Sequence, residues 1–165
     1  MNYAQIRKYD VTNGPGIRTT LFVSGCTHNC PECFNKEQQN FKYGYKWTKE
    51  VEDDFINKCS NNSVVGVSIL GGEPLQQDPV IMKNLLSRIK MESKKEIWVW
   101  TGYTYEEILE DENKRCLLEF IDVLIDGKFE LDKRNLNLKY RGSSNQRVID
   151  VKKTTGSNEI IMLNI

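Results

Sequence analysis

The chain has 165 residues, and its 23 basic side chains balance 23 acidic ones, so it carries no formal net charge at neutral pH. This balance removes the electrostatic argument for a nucleic-acid partner or an anionic membrane partner. No apolar run approaches the roughly 18 residues that a membrane-spanning helix needs. Hydrophobic residues make up 39% of the chain and charged residues 28%, which excludes a wholly disordered polypeptide and predicts a single folded domain over residues 1–165.

The amino-terminal segment and the cysteines indicate the compartment. The segment MNYAQIRKYD contains charged residues and no apolar stretch typical of a secretory signal. Three of the five cysteines, Cys26, Cys30 and Cys33, lie within eight residues. An odd number and such close spacing disfavour a disulfide framework and favour a metal site in a reducing compartment. We therefore expect a cytoplasmic protein.

Short apolar segments alternate with helical patterns along the chain. The predicted buried strands are residues 19–24, 64–70, 97–101 and 123–125. The predicted helices begin near Val51, at Asp78 and at Thr104, and a further short helix is predicted over residues 116–121.

This alternation is typical of βαβ units and predicts an α/β fold, with a mostly parallel sheet and flanking helices. A complete eight-stranded β/α barrel usually needs roughly 200 residues or more. We therefore expect either part of a barrel or an open sheet.

Distinctive loops follow the carboxyl ends of all four predicted strands. They are the cysteine loop, Gly71–Pro74, Thr101–Gly102 and Asp126–Gly127. Because the carboxyl ends of parallel strands share one edge, where such folds bind ligands, we expect one site assembled from four loops.

The cysteine spacing, Cys-x3-Cys-x2-Cys, restricts the metal centre. Thiolates bind zinc, copper(I) and iron-sulfur clusters. A structural zinc site needs a fourth protein ligand, which only His28, inside the loop, offers nearby. Three thiolates can instead hold three irons of a 4Fe-4S cluster and leave the fourth iron open. Both interpretations stand at this point.

The combination of these motifs resembles a known family. Cys26, Cys30 and Cys33 after one strand, and Gly71-Gly72-Glu73-Pro74 ending the next, are similar to the radical S-adenosylmethionine (SAM) superfamily. Further segments resemble the activating proteins of anaerobic ribonucleotide reductase within it. These segments are Asn13–Arg18, Thr20–Cys26, Cys33–Asn35, Trp98–Tyr103, Asp126–Phe129 and Arg141–Gln146.

The resemblance implies a fold, cofactors and site residues. The fold would be an incomplete, TIM-like β/α barrel of the radical SAM type. The cofactors would be a 4Fe-4S cluster, bound by Cys26, Cys30 and Cys33, and SAM. The implied SAM contacts are Glu32, Cys33, Phe34, Gly71, Gly72, Glu73 and Thr101. Many superfamily members have an aromatic residue just before the third cysteine; here Glu32 stands there and Phe34 follows, so backbone groups of residues 32–34 are the candidates for the adenine contact.

The implied activity is that of a radical SAM oxidoreductase. Reductive cleavage of SAM would give methionine and a 5′-deoxyadenosyl radical, which would take a hydrogen from a glycine Cα of the reductase. No catalytic side chain is implied beyond the cluster and SAM. The partners would be the large subunit of anaerobic ribonucleotide reductase and an electron donor such as a flavodoxin or ferredoxin.

Alternative functions remain open from the sequence. The chain could activate a different glycyl-radical enzyme, act as another small radical SAM enzyme, or be a zinc-stabilised binding module. The roles of Arg18, Arg141 and Arg147 are undecided between anion binding, partner docking and structural ion pairs. Trp98 and Trp100 share one strand face, which favours core packing over stacking on a ligand.

Overall fold

A computed structural model describes residues 1–165 as a seven-stranded mixed sheet with helices against one face. The strands are β1 (Asn2–Asp10), β2 (Arg18–Ser24), β3 (Tyr45–Lys46), β4 (Gly66–Gly71), β5 (Glu96–Trp100), β6 (Val123–Asp126) and β7 (Arg147–Asp150). The α-helices are α1 (Lys49–Cys59), α2 (Pro79–Arg88), α3 (Tyr105–Glu110), α4 (Glu112–Arg115) and α5 (Val151–Thr155). Short 3₁₀ turns cover Lys36–Gln39, Pro74–Gln76 and Leu131–Lys133, and a π-helical turn over Ile89–Ser93 extends α2.

The strand order is β3-β1-β2-β4-β5-β6-β7. The four central strands, β2, β4, β5 and β6, run parallel, and the other three pair antiparallel towards the edges. Phe22 pairs with Leu70, and Trp100 pairs with Ile125, so the central strands end close to one another. β3 and β7 end the sheet, which is open and not closed into a barrel.

Polar side chains cap the first three helices. The Thr48 hydroxyl accepts a hydrogen bond from the third residue of α1, and Asp78 accepts two from the first turn of α2, where Pro79 stands first. Thr104 and Glu107 form a reciprocal capping box at α3. Since each cap satisfies amides that have no partner within the helix, these residues determine where the helices begin.

The helices pack on one face of the sheet and form the main core. Alternate residues of the central strands point to this face, including Leu21, Ile69, Val99 and Leu124. Cys59 of α1 is fully buried there, and burial raises the pKa of its thiol to about 12. Cys59 therefore packs as an apolar core side chain.

The opposite face of the sheet carries a polar plug near the amino ends of the strands. Arg18 is 1% exposed, and its Nε donates to Ser68 Oγ at 2.8 Å while an Nη donates to the Val67 carbonyl at 3.0 Å. Its guanidinium lies 5.1 Å from the centre of the buried Trp98 ring. Burial lowers the pKa of Arg18 to about 10, so the side chain stays charged at neutral pH. Arg18 and Trp98 are thus structural.

The structure confirms the predicted α/β class and the parallel central strands, but one predicted helix is wrong. α4 ends at Arg115, and residues 116–120 form consecutive turns instead of a helix. Leu117, Leu118 and Ile121 are nevertheless buried in the main core. Their apolar spacing therefore reflects burial under turns.

β1, β3, β7 and α5 were not predicted. β1 is exposed or half-buried at every residue but its last and is rich in polar residues, and β3 pairs with only its first two residues, Asn2 and Tyr3. Beyond these two residues β1 forms the edge of the sheet, and a strand in this position lacks the continuous apolar run that marks the buried central strands. No helix of the chain has the length and hydropathy needed to cross a lipid bilayer.

The Arg18 plug leads to a stability prediction. Arg18→Ala should lower the free energy of unfolding by about 3 kcal/mol, because it empties a buried volume and leaves the Val67 carbonyl and Ser68 without their donor. Glu96 pairs with Arg18 at 3.7 Å but is 45% exposed, so Glu96→Gln should cost less than about 1 kcal/mol. Urea unfolding of both variants measures the difference; equal losses would contradict a plug held by buried contacts.

Candidate functional site

One cavity of about 490 Å³ lies at the carboxyl ends of the parallel strands. Phe22, Leu70 and Trp100 line it from the sheet face opposite the helices. All four of the distinctive loops contribute further residues. These residues are Cys26, His28, Cys30, Cys33, Phe34, Gly71, Gly72, Glu73, Thr101, Gly102 and Gly127. The topology thus joins segments that are up to about a hundred residues apart in the chain into a single site.

The cysteine loop begins where β2 ends. Its first amides are held in place, because Gly25 donates to the Gln38 carbonyl at 2.7 Å and Cys26 donates to the Gln39 carbonyl at 3.0 Å. All three loop cysteines are partly exposed and unpaired. Burial raises the pKa of Cys26 to about 11 and also raises that of Cys30. Since thiolates are the metal-binding form, a metal centre must displace these protons as it binds.

The two glycines after β4 allow a close approach to the end of β2. Gly71 has a φ of +111°, and a Cβ there would lie 2.7 Å from the Val23 carbonyl oxygen. A Cβ at Gly72 would lie 2.5 Å from the Gly25 carbonyl oxygen. The Gly72 amide donates to Val23 at 2.8 Å. Any larger residue would push the turn away from the cysteine loop, so glycine is required here by the protein's own backbone.

Glu73 lies at the junction of these segments and is 1% exposed. Its Oε1 accepts hydrogen bonds from the Leu75 amide at 3.0 Å and the Thr101 hydroxyl at 2.8 Å. Its Oε2 accepts from the Gly102 amide at 2.7 Å and lies 2.9 Å from Nε2 of His28. Thr101 is likewise buried, with its hydroxyl directed at Glu73 and away from solvent.

The segment between β6 and β7 covers the other side of the cavity. Gln146 holds it in place, since its amide donates to the Gly127 carbonyl at 3.0 Å and its Oε1 accepts from the Gly142 amide at 2.8 Å. The Phe129 ring packs against Phe34 with centroids 5.2 Å apart. Trp100 donates to a backbone carbonyl of the same segment, that of Tyr140. Phe34 is 63% exposed and also lines the cavity, which therefore reaches the surface.

The three arginines left undecided by the sequence have different environments. Arg18 is the buried plug described above. Arg147 pairs with Asp126 and Glu106, with hydrogen bonds of 3.0 and 2.6 Å. Arg141 makes no ion pair: one Nη donates to a backbone carbonyl at 2.6 Å, and its buried Nε has no partner. Only Arg141 of the three lines the cavity.

The charge of the cavity is unbalanced in favour of cations. Arg7, Lys128 and Arg141 line it, and Glu73 is the only carboxylate among the lining residues. Internal donors surround the Glu73 carboxylate, and Arg7 is paired with Asp10 at 3.8 Å, so Lys128 and Arg141 are the cations left to face an anionic group on a bound ligand.

The predicted site residues are distributed as follows. Cys26, Cys30, Cys33, Phe34, Gly71, Gly72, Glu73 and Thr101 all line the cavity. Glu32 does not: it is exposed and adopts a left-handed conformation with φ of +53°. The roles of these residues as cluster ligands or SAM contacts stay predictions.

Several lining residues were missed by the sequence patterns. Arg7 comes from the polar strand β1, and Tyr140 from a segment without regular structure. His28 was considered only as a zinc ligand. Its position in the cysteine loop as the only histidine of the chain was a signal for a specific role.

Comparisons with known proteins assign the family. The sequence profile of the 4Fe-4S single cluster domain matches residues 12–149. A protein of Escherichia coli (strain K12) named anaerobic ribonucleoside-triphosphate reductase-activating protein is 45% identical over 153 residues, covering 90% of this chain and 97% of the relative. Proteins of the same name from Vibrio cholerae and Enterobacteria phage T4 are 42% and 40% identical, covering 88% and 90% of this chain and 96% and 93% of the relatives. Because the similarity extends over nearly the whole length of both partners and includes the three cysteines in a 4Fe-4S domain, this chain belongs to the family of anaerobic ribonucleoside-triphosphate reductase-activating proteins.

Proposed function

We propose that this chain is a radical SAM activase, which cleaves S-adenosylmethionine reductively and generates a glycyl radical on the large subunit of anaerobic ribonucleoside-triphosphate reductase. The observation that carries the proposal is the convergence of three cysteines and the Gly71–Glu73 turn on one cavity. The names of the relatives, which are activating proteins of that reductase, support the choice of partner.

The donor set of the cavity suits a 4Fe-4S cluster. Cys26, Cys30 and Cys33 supply three soft ligands on one side of the cavity, which would leave one iron without a protein ligand. When bound, such a cluster would supply the one electron that reductive cleavage of SAM to methionine and a 5′-deoxyadenosyl radical needs, and the radical would take a hydrogen atom from the reductase glycine. The protein's own contribution is to hold the ligands, orient SAM and exclude water.

The zinc-stabilised module is the weaker alternative. It would require His28 as the fourth ligand, but Nε2 of His28 lies 2.9 Å from the Glu73 carboxylate. No group of three or more His, Cys, Asp or Glu side chains converges closely enough to hold a single metal ion. A 4Fe-4S cluster needs only three protein ligands when one iron is left open, and the three loop cysteines supply them.

The SAM contacts follow from the free groups of the cavity. The Glu73 side chain already has four close polar contacts, and the carbonyls of Gly71 and Glu73 accept from Asn35, Gln76 and Gln77. The Gly71–Glu73 turn would therefore face the amino group of SAM through the Gly72 carbonyl. Backbone groups of residues 32–34 and the exposed Phe34 ring would contact the adenine. We propose that Arg141 and Lys128 complement the carboxylate of the methionine part.

An open sheet suits a protein substrate. We propose that it acts as an incomplete β/α barrel of the radical SAM type, formed by residues 1–165 as one domain. The exposed Phe34 at the cavity would then mark the side from which a glycine-bearing loop of the reductase enters. A flavodoxin or ferredoxin is proposed as the electron donor, and the cytoplasm as the compartment, since its reducing conditions keep the five cysteines as thiols.

The decisive experiment is anaerobic activation of the reductase. The reduced protein, SAM and the anaerobic reductase should give a glycyl radical signal in electron paramagnetic resonance, and omission of SAM should abolish it. Formation of 5′-deoxyadenosine without any glycyl signal would favour a different glycyl-radical enzyme or a small-molecule substrate over this partner.

The cysteine assignment predicts a selective loss of iron. Serine at position 26, 30 or 33 should reduce the iron and sulfide bound after anaerobic reconstitution and abolish SAM cleavage, because the cluster loses one of three ligands. Cys116→Ser is the matched control, since Cys116 is a partly exposed thiol away from the cavity, and it should keep both properties. Wild-type iron content and SAM cleavage in all three loop variants would contradict the assignment.

The proposed role of Arg141 predicts a change in SAM affinity alone. Arg141→Gln should raise the KM for SAM about tenfold or more, since a charge-assisted hydrogen bond contributes roughly 1.5–3 kcal/mol. Arg141→Lys should restore part of this loss, and iron content should stay unchanged in both. An unchanged KM with weaker reductase activation would instead place Arg141 at the protein partner.

A further inference from the structure

Groups of the protein itself occupy the hydrogen-bonding positions of the Glu73 carboxylate. Its two oxygens have four close polar neighbours, which come from three separate chain segments. Two of these neighbours, Thr101 and Gly102, follow β5, and a third, His28, lies in the cysteine loop. An ionised carboxylate has about four lone-pair sites, so these contacts fill it. Glu73 therefore joins parts of the fold and has no free side-chain acceptor for a ligand.

His28 is the contact that reaches the cysteine loop. It lies between Cys26 and Cys30, and its side chain is only 7% exposed. Oε2 of Glu73 also accepts from the Gly102 amide, and with the carboxylate ionised, Nε2 of His28 is the donor in this contact. The imidazole packs edge-on against the Tyr103 ring, with centroids 4.6 Å apart.

Two further observations concern the space around this imidazole and the contacts of the loop beside it. A Cβ at Gly102 would lie 2.5 Å from the His28 ring, so the glycine after Thr101 leaves room for it. Next to His28, Thr27 and Gln76 exchange two hydrogen bonds, each of 2.8 Å. The same Gln76 amide donates to the Tyr103 hydroxyl at 3.0 Å. Consecutive residues of the loop are thus tied to the segments after β4 and β5.

We propose that His28 and Glu73 are positioning residues, whose buried contact fixes the first half of the cysteine loop and so sets the positions of Cys26 and Cys30 for the cluster. The inference rests on the proposed function, because it takes these cysteines as cluster ligands. The contact also links the cysteine loop to the Gly71–Glu73 turn, so that it fixes the position of the cluster relative to the proposed SAM site. Partners that orient metal ligands in this way typically change metal affinity by about 10- to 100-fold.

A pair of variants separates the hydrogen bond from the packing. His28→Phe keeps a ring against Tyr103 and Gly102 but removes the donor, and His28→Gln keeps a donor without the ring. Asn29→Gly is the control within the same loop, because Asn29 is exposed and has a φ of +51°, which glycine adopts readily.

The main readout is the stability of the cluster in the reconstituted protein. His28→Phe should lose iron to a chelator about ten times faster than the wild type and should shift the midpoint potential of the cluster. His28→Gln should lie close to the wild type, and Asn29→Gly should equal it. Urea unfolding of each variant shows whether the whole fold is affected. Equal rates of iron loss and equal potentials in His28→Phe and the wild type would overturn the inference.

A double variant tests whether the two residues act together. Glu73→Gln should accelerate iron loss in the same direction, and adding His28→Phe to it should have little further effect, since both changes remove one contact. Additive effects would show that His28 acts without Glu73 and would refute the proposed pair.

Hydrogen exchange separates this inference from the proposed function. In the cluster-free protein, His28→Phe should speed amide exchange in residues 26–29 selectively. If the wild type binds no 4Fe-4S cluster but exchange still rises in the variant, the positioning contact stands and the proposed function fails. If the wild type binds the cluster while exchange and iron loss are unchanged in the variant, the proposed function stands and the positioning role of His28 is refuted.

Discussion

The parallel pairing of β2, β4, β5 and β6 is the constraint on which the rest of the structure depends. Parallel strands need crossover connections, and here these are the helices that cover one face of the sheet. The same pairing places four carboxyl ends along one edge. The cysteine loop, the glycine turn and the Thr101–Gly102 segment meet there because the strands before them are neighbours in the sheet.

The two faces of this sheet carry different features. The helix-covered face carries the large apolar core. The opposite face holds a smaller cluster around Trp98 and changes along the strands, from the Arg18 plug at the amino ends to the cavity at the carboxyl ends. At the amino ends of the strands, Arg18 is buried with hydrogen-bond acceptors of the protein itself. At the carboxyl ends, Arg141 has no acidic partner in the protein, and a ligand in the cavity can supply that partner.

The central fold and the main motifs could be predicted because their signals are local. Apolar β-branched runs mark buried strands, caps such as Asp78 and Thr104 mark helix starts, and the cysteine spacing restricts the metal chemistry. β1 escaped prediction because an exposed edge strand has no apolar run, and residues 116–121 were misassigned because burial under turns imitates helical spacing. The contact between His28 and Glu73 spans 45 positions, and no periodic pattern records a hydrogen bond of that separation.

The Gly-Gly-Glu segment shows how one motif can build a site before it binds anything. The family resemblance implies that its residues face SAM. Yet contacts within the protein already account for the two glycines and for the Glu73 carboxylate. Gly71 and Gly72 lack a Cβ where carbonyl oxygens of residues 23 and 25 would meet it, and the Glu73 carboxylate is filled by protein donors. The carbonyls of Gly71 and Glu73 already accept from Asn35, Gln76 and Gln77, so the Gly72 carbonyl is the polar group that these constraints leave free at this turn. A turn whose side chains are committed internally presents its backbone in one position, and that preorganisation lowers the ordering cost when a small charged ligand binds.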